Sequence, residues 1–257
     1  MTRFLLFALG AVLSSPIVSS SVHAADGAAE PTLEQLLDAV DDQSRGASSE
    51  GRMTMSVKTS RWDRSITMDL WSRGEDHSLM RIVAPAKEAG MATLRAGDNI
   101  WNYLPKVDRT MKVPAAMMSG NWMGSHFTNN DLVHSSRFAD DFNSKITQRP
   151  GQDGSGTWVI EAIPKEDAPV VWGKIVITVD AKLRIGKSIT YWDEDGTLVR
   201  SMTFSDVQTI DGRPVPMKMR MVPEDSPAEY TEIVYDRLRF DVEIPDSVFT
   251  LQSIRRR

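Results

Sequence analysis

The feature that most constrains this chain is a two-residue hydrophobic period that recurs along it between tight-turn signals. Met53, Met55 and Val57 alternate with Arg52, Thr54, Ser56 and Lys58. Ile66, Met68 and Leu70 alternate with Ser65, Thr67 and Asp69. Ile175, Ile177 and Val179 make a third face, and Met217, Met219 and Met221 enclose Lys218 and Arg220. Successive side chains of a strand point to opposite faces, so each run predicts a strand with one buried and one wet side. Arg73-Gly74, Gly97-Asp98-Asn99, Gly154-Ser155-Gly156, Asp195-Gly196 and Asp211-Gly212 supply the turns. The pattern predicts a mainly β fold in which a curved antiparallel sheet or barrel wraps one apolar face. A helix precedes it over Thr32–Arg45. There Leu33, Leu36, Leu37 and Val40 recur at helical spacing, Thr32 and Gln35 can form a capping box, and Gly46 ends the run. Near the C-terminus, Ile244-Pro245-Asp246-Ser247-Val248-Phe249 predicts a short capped turn that packs Val248 and Phe249 back onto the body.

The N-terminus limits where such a sheet would work. One positive charge at Arg3, an apolar stretch from Phe4 to Leu13 and a small-residue site at Val22-His23-Ala24-Ala25 predict a signal peptide over 1–24. A single domain over 25–257 is expected to follow. No segment approaches the roughly 20 apolar residues of a membrane-spanning helix. These features predict a soluble protein exported to the periplasm. Without Arg3 the chain carries 29 basic and 35 acidic residues, a net charge of −6, which argues against a nucleic-acid partner. With no cysteine, an exported fold must rest on its hydrophobic core.

The inner face is unusual in kind. Strand cores favour β-branched and aromatic residues, yet Met53, Met55, Met68, Met80, Met111, Met202, Met217, Met219 and Met221 occupy strand-like segments. Flexible, polarizable methionine accepts ligands of varied shape, but it also fills irregular cores, and both readings stay open here. A second oddity lies beside it. From Val113 to Asn130 there is no Lys, Arg, Asp or Glu, although Pro114, Gly120 and Gly124 rule out a plain core strand. A movable apolar cover over an apolar concavity would have this composition, with glycines as hinges. Met117, Met118, Trp122, Met123 and Phe127 are therefore the candidate lid. The strand methionines with Trp101 and Tyr103 are the candidate floor, although ordinary sheet packing explains the two aromatics equally well.

Catalytic readings find little support. Asp131-x-x-His134 with Asp140 and Asp141 meets no recognised metal spacing, and no Gly-x-Ser-x-Gly elbow, thiol nucleophile or Gly-rich phosphate loop is present. The expectation is a non-enzyme without cofactor or metal. Arg61, Arg64, Arg73 and Arg81 fall in neighbouring strand segments and predict an exposed basic strip, and Arg255-Arg256-Arg257 ends the chain.

Asn99-Ile100-Trp101-Asn102-Tyr103-Leu104-Pro105-Lys106, then Arg109, Met111, Val113-Pro114, Met117-Met118 and Trp122 to Leu132, form a dense block. Together with the ending Ile244-Pro245-Asp246 to Phe249-Thr250-Leu251, it resembles exported bacterial proteins named for outer-membrane lipoprotein sorting, within the LolA-like superfamily. The resemblance covers most of the chain beyond the signal peptide. It implies an open half-barrel whose concave apolar face is covered by helices and loops. It also implies periplasmic binding of lipoprotein acyl chains or another hydrophobic ligand, moved towards the outer membrane between an inner-membrane donor and an outer-membrane acceptor. The alternative is a lipid-responsive sensor or accessory module that regulates a membrane partner or exporter.

Overall fold

The computed structural model describes residues 30–134, 138–151, 155–168 and 170–256, so the expected signal peptide lies outside the described residues. The chain divides at Pro31, and the architecture below is that of Thr32–Arg257. It opens with α1 (Leu33–Asp42), capped as the sequence predicts: the Gln35 backbone N–H donates to Thr32 Oγ1, and Thr32 N–H donates to the Gln35 side chain. Leu36, Leu37 and Val40 are its buried stripe. The helix ends at Asp42 in a turn whose Arg45 and Gly46 N–H groups donate to the Asp42 carbonyl, with Gly46 left-handed at φ 59°. The Gln43 side-chain oxygen accepts from the Gly186 backbone, tying the turn to the sheet.

Thirteen strands follow: β1 (Ser48–Lys58), β2 (Asp63–Arg73), β3 (His77–Ala84), β4 (Ala92–Ala96), β5 (Asn99–Leu104), β6 (Arg109–Lys112), β7 (Phe142–Gln148), β8 (Thr157–Pro164), β9 (Lys174–Asp180), β10 (Gly186–Trp192), β11 (Leu198–Ile210), β12 (Arg213–Pro223) and β13 (Tyr230–Phe240). Two short helices, α2 (Asn129–His134) and α3 (Phe138–Asp141), lie between β6 and β7. All strands join one antiparallel sheet in the order β6-β5-β4-β3-β2-β1-β13-β12-β11-β10-β9-β8-β7. The sheet does not close, and the protein is an open, mostly β half-barrel. Two meanders therefore run outward from the central β1–β13 pair, which joins the first and last strands of the chain. Consequently the two free edges, β6 and β7, are neighbours in sequence, and residues 113–141 must pass from one edge of the sheet to the other.

The central seam is irregular. The β1–β13 register shifts between Arg52 and Met53, and Gly51 sits beside the bulge. A Cβ there would fall 2.5 Å from the Arg237 carbonyl oxygen, so the close approach of the two strands requires glycine.

The inner face carries two apolar clusters. One joins α1, Phe138 and Phe142 to Ile160, Ile177, Ile189 and Met221 on β8–β12. The other joins Met53, Met55, Ile66 and Met68 to Ile82, Met217, Ile233 and Trp122. A third cluster lies on the opposite face, where Ile244, Phe249 and Ile254 of the C-terminal segment cover Leu79, Leu94 and Tyr103. Fully burying each such side chain contributes about 1.5–3 kcal/mol, so a tail of three large apolar groups is firmly held. Arg81 donates to the Ser253 carbonyl, and Arg73 donates to that of Ile244 and pairs with Asp246. The expected basic strip does not form, because these two guanidiniums serve the tail on one face while Arg64 serves the other.

Candidate functional site

Residues 113–134 form a strap over the concave face. Their fold is local: Trp122 N–H donates to the Phe127 carbonyl, Asn129 N–H to that of Gly120, and Asn130 N–H to that of Met118. Met123 and Gly124 take left-handed backbone with φ of 50° and 73°, which turns the chain so that Trp122 points inward. Trp122 is buried, and its indole N–H donates to Thr93 Oγ1 at 3.2 Å, which in turn donates to Asn102 Oδ1 at 2.7 Å. Thr128 and Asp131 cap α2 reciprocally, with Thr128 N–H on Asp131 Oδ2 and Asp131 N–H on Thr128 Oγ1.

Three arginines from three strands grip this strap. Arg64 of β2 donates to the Met123 carbonyl at 2.8 Å and pairs with Glu88. Arg95 of β4 donates to the Leu132 carbonyl at 2.9 Å. Arg200 of β11 makes a two-point pair with Asp131 at 2.8 and 2.6 Å. Its guanidinium carbon lies 4.4 Å from the ring centres of both Trp172 and Tyr191. Burial alone would lower the Arg200 pKa, but hydrogen bonding and the charge of Asp131 outweigh it and hold the value above the ordinary one. Burial also pushes the Tyr191 phenol up to about 12, so it stays protonated. A fourth tie comes from Thr231, whose buried hydroxyl accepts from the His126 backbone N–H at 2.9 Å and lies 2.8 Å from Nδ1. The other ring nitrogen, Nε2, faces Glu229 at 3.4 Å.

Beneath the strap lies a cavity of about 260 Å³. It sits where the two inner clusters meet. Met202, Met221, Ile189 and Phe138 line it from one side, and Met53, Leu70, Ile233 and Trp122 from the other. Phe127 and Met219 line it and pack against both clusters. One end is polar, with Asp41, Ser44 and Arg45 from α1 and the turn after it, and Ser72, Glu75 and Ser78 from the β2–β3 hairpin. Burial pushes the Asp41 carboxyl up to about 8. Arg45 opposes the shift, while Asp42, Glu75 and Asp38 add to it.

The candidate residues separate clearly. Met53, Met80, Met202, Met219 and Met221 line the cavity together with Trp122 and Phe127. Met55, Met68 and Met217 are buried in the same core but stand behind that lining, and Met123 packs against it. Met111 and Met117 are exposed, and Met118 is half-buried away from the cavity. Trp101 and Tyr103 are not floor residues. Register pairs Trp101 with Leu94 and Tyr103 with Ala92, placing both on the opposite face under the C-terminal tail. The inward positions of that strand are Ile100, opposite Arg95, and Asn102, opposite Thr93. Sequence reading missed Arg200, Arg95, Asp41 and Arg45. A charged residue at an inward strand position is the signal that would have found the first two. The side chain of His134 lies outside what is described, and among the described residues no group of three His, Asp or Glu gathers in metal-binding geometry.

A family model described as "uncharacterized protein" matches residues 74–256, well over half of the chain. The chain belongs to the DUF1329-like family. The chain shares its architecture with solved structures of modest sequence identity. A DUF1329 family protein from Desulfovibrio piger is 22% identical with a TM-score of 0.75, the match covering 85% of this chain and 96% of that one. An outer membrane lipoprotein-sorting protein domain from Vibrio parahaemolyticus is 24% identical with a TM-score of 0.70, over 82% and 92%. A LolA superfamily protein from Nitrosomonas europaea is 18% identical with a TM-score of 0.71, over 87% and 99%. The DUF1329-like chain thus has the LolA-like fold. Among curated proteins, none matches this chain in sequence. No helix among the described residues is long and apolar enough to cross a membrane.

Proposed function

We propose that the protein is a periplasmic, non-enzymatic carrier that binds a lipoprotein acyl chain or another lipid beneath the strap and moves it towards the outer membrane. Donor and acceptor proteins in the two membranes would load and unload it. The observation that carries this reading is the methionine-lined cavity under a strap that joins the two free sheet edges.

Size argues for a gate. A void of about 150 Å³ suffices for benzene, and pockets for larger ligands begin near 300 Å³. At about 260 Å³ the closed cavity takes only part of a long acyl chain, so full loading requires the strap to lift. Each buried CH₂ contributes about 0.8 kcal/mol, and a long chain therefore supplies on the order of 10 kcal/mol before ordering costs. That is enough to offset the breaking of several polar latches. Met53, Met202, Met219 and Met221 can re-pack around whichever portion enters, which keeps the empty and loaded states close in energy.

The test is native mass spectrometry of the exported protein, followed by organic extraction. A co-purifying lipid or acylated peptide supports the carrier reading and names the cargo class. An empty protein that also fails to shift its Trp122 emission with added lipid overturns it.

A further inference from the structure

The cavity has a chemically distinct end that the acyl-chain reading leaves unused. Asp41 and Arg45 both line it, and each holds a buried polar atom without a hydrogen-bond partner: Oδ1 of Asp41 and Nε of Arg45. Their charges interact, yet among the described residues Arg45 makes its ion pair with Asp42, at 3.3 Å, and not with Asp41. An acceptor and a donor thus stand close together at the mouth of an apolar cavity, each lacking the partner that a buried polar group requires. A ligand that supplies one donor and one acceptor completes both.

Charge decides which kind of donor. Asp41 lies in the last turn of α1, where exposed carbonyls concentrate negative potential. Asp38 and Asp42 on the same helix and Glu75 in the β2–β3 turn add to it, and Arg45 is the opposing charge. Across the cavity, Tyr191 of β10 also senses Asp41. His77 is engaged by Asp76, and Arg95 and Arg200 hold the strap. A purely anionic head group would enter a field that repels it, whereas a cation beside Asp41 is favoured. Arg45, with its Nε still unpartnered, suits a phosphate oxygen close by.

We propose that this end of the cavity binds an amphiphile whose head group carries both a primary ammonium and a phosphate, the ammonium donating to Asp41 and the phosphate accepting from Arg45. The inference rests on the carrier reading and specifies its ligand. Asp41 is protonated at neutral pH in the empty protein, so the entering ammonium displaces its proton, and affinity rises as pH increases from 6 towards 8.

The experiment is calorimetric titration of the exported protein with lysophosphatidylethanolamine and lysophosphatidylglycerol of identical acyl chain, below their micelle concentrations. A charge-assisted hydrogen bond predicts about tenfold tighter binding of the ethanolamine lipid. Asp41→Asn should reduce this preference to less than about twofold, by weakening the ethanolamine lipid relative to the glycerol lipid. Arg45→Gln should weaken both lipids together. Equal or tighter binding of the glycerol lipid, or a preference that survives Asp41→Asn, overturns the head-group assignment and leaves the carrier reading standing. If neither lipid binds, the head-group assignment falls, while the carrier reading is decided by the mass-spectrometric test.

Discussion

Asp131 and Arg200, on the strap and on β11, form a two-point ion pair in which each carboxylate oxygen accepts one guanidinium N–H, at 2.8 and 2.6 Å. The pair is almost wholly buried, and the same carboxylate caps α2 through Thr128. One side chain therefore sets both the local fold of the strap and its attachment to the sheet. Motion of the strap and integrity of its helix are coupled through Asp131.

Asp131→Ala should test that coupling. It leaves the Arg200 charge buried between Trp172 and Tyr191 without its counter-ion, at a cost of about 3–5 kcal/mol. Chemical denaturation should show this loss. Hydrogen exchange should accelerate across residues 118–134 far more than in β1 or β13, and uniform acceleration would show that the strap does not move as a separate unit.

Met219→Trp distinguishes a cavity from a merely soft core. Met219 lines the void and touches both inner clusters, so a larger ring has about 260 Å³ into which to grow. The expected outcome is a melting temperature within a few degrees of wild type and loss of lipid uptake. Overpacking of a filled core would instead cost about 1–3 kcal/mol.

Gly51→Ala should weaken the seam that joins the two meanders. The new Cβ would meet the Arg237 carbonyl at 2.5 Å, on backbone that cannot step aside cheaply. A loss of about 2 kcal/mol or more is expected in urea unfolding, with an unchanged slope if the sheet still unfolds as one unit.

Asp41→Asn carries a signed pH dependence. Burial holds the folded-state pKa near 8, far above the ordinary 3.8. The contribution of Asp41 to stability is therefore complete below about pH 4 and is lost as pH rises to about 8. Removing the ionisable group should stabilise the protein on the order of 3 kcal/mol at pH 7, and by much less at pH 4. Thermal melts of both proteins across that range give the difference directly, and a constant difference would contradict the buried, protonated state.

The sequence by itself determined the strand periodicity, the capped first helix, the apolar strap and the tail that packs Phe249 onto the body. Each follows from a local rule: side-chain alternation, a Thr–Gln cap, an uncharged run broken by glycine, a Pro-Asp turn. What it left undecided was which face of a strand is the inside. In β5 apolar side chains occur on both faces, because the C-terminal tail covers the outer side, and periodicity alone placed Trp101 and Tyr103 on the cavity side when register puts Ile100 and Asn102 on that face of the sheet. The latches were hidden for a related reason. Asp131 and Arg200 are 69 residues apart, Arg64 and Met123 are 59 apart, and no local pattern links them. Only closure of β1 onto β13 makes β6 and β7 opposite edges, which obliges the strap to cross the concave face and brings these charges within hydrogen-bonding reach. Asp41 reads as a routine polar residue at the end of an amphipathic helix. Its burial at a cavity mouth, and hence its protonation, is a property of packing that no local stretch of sequence encodes.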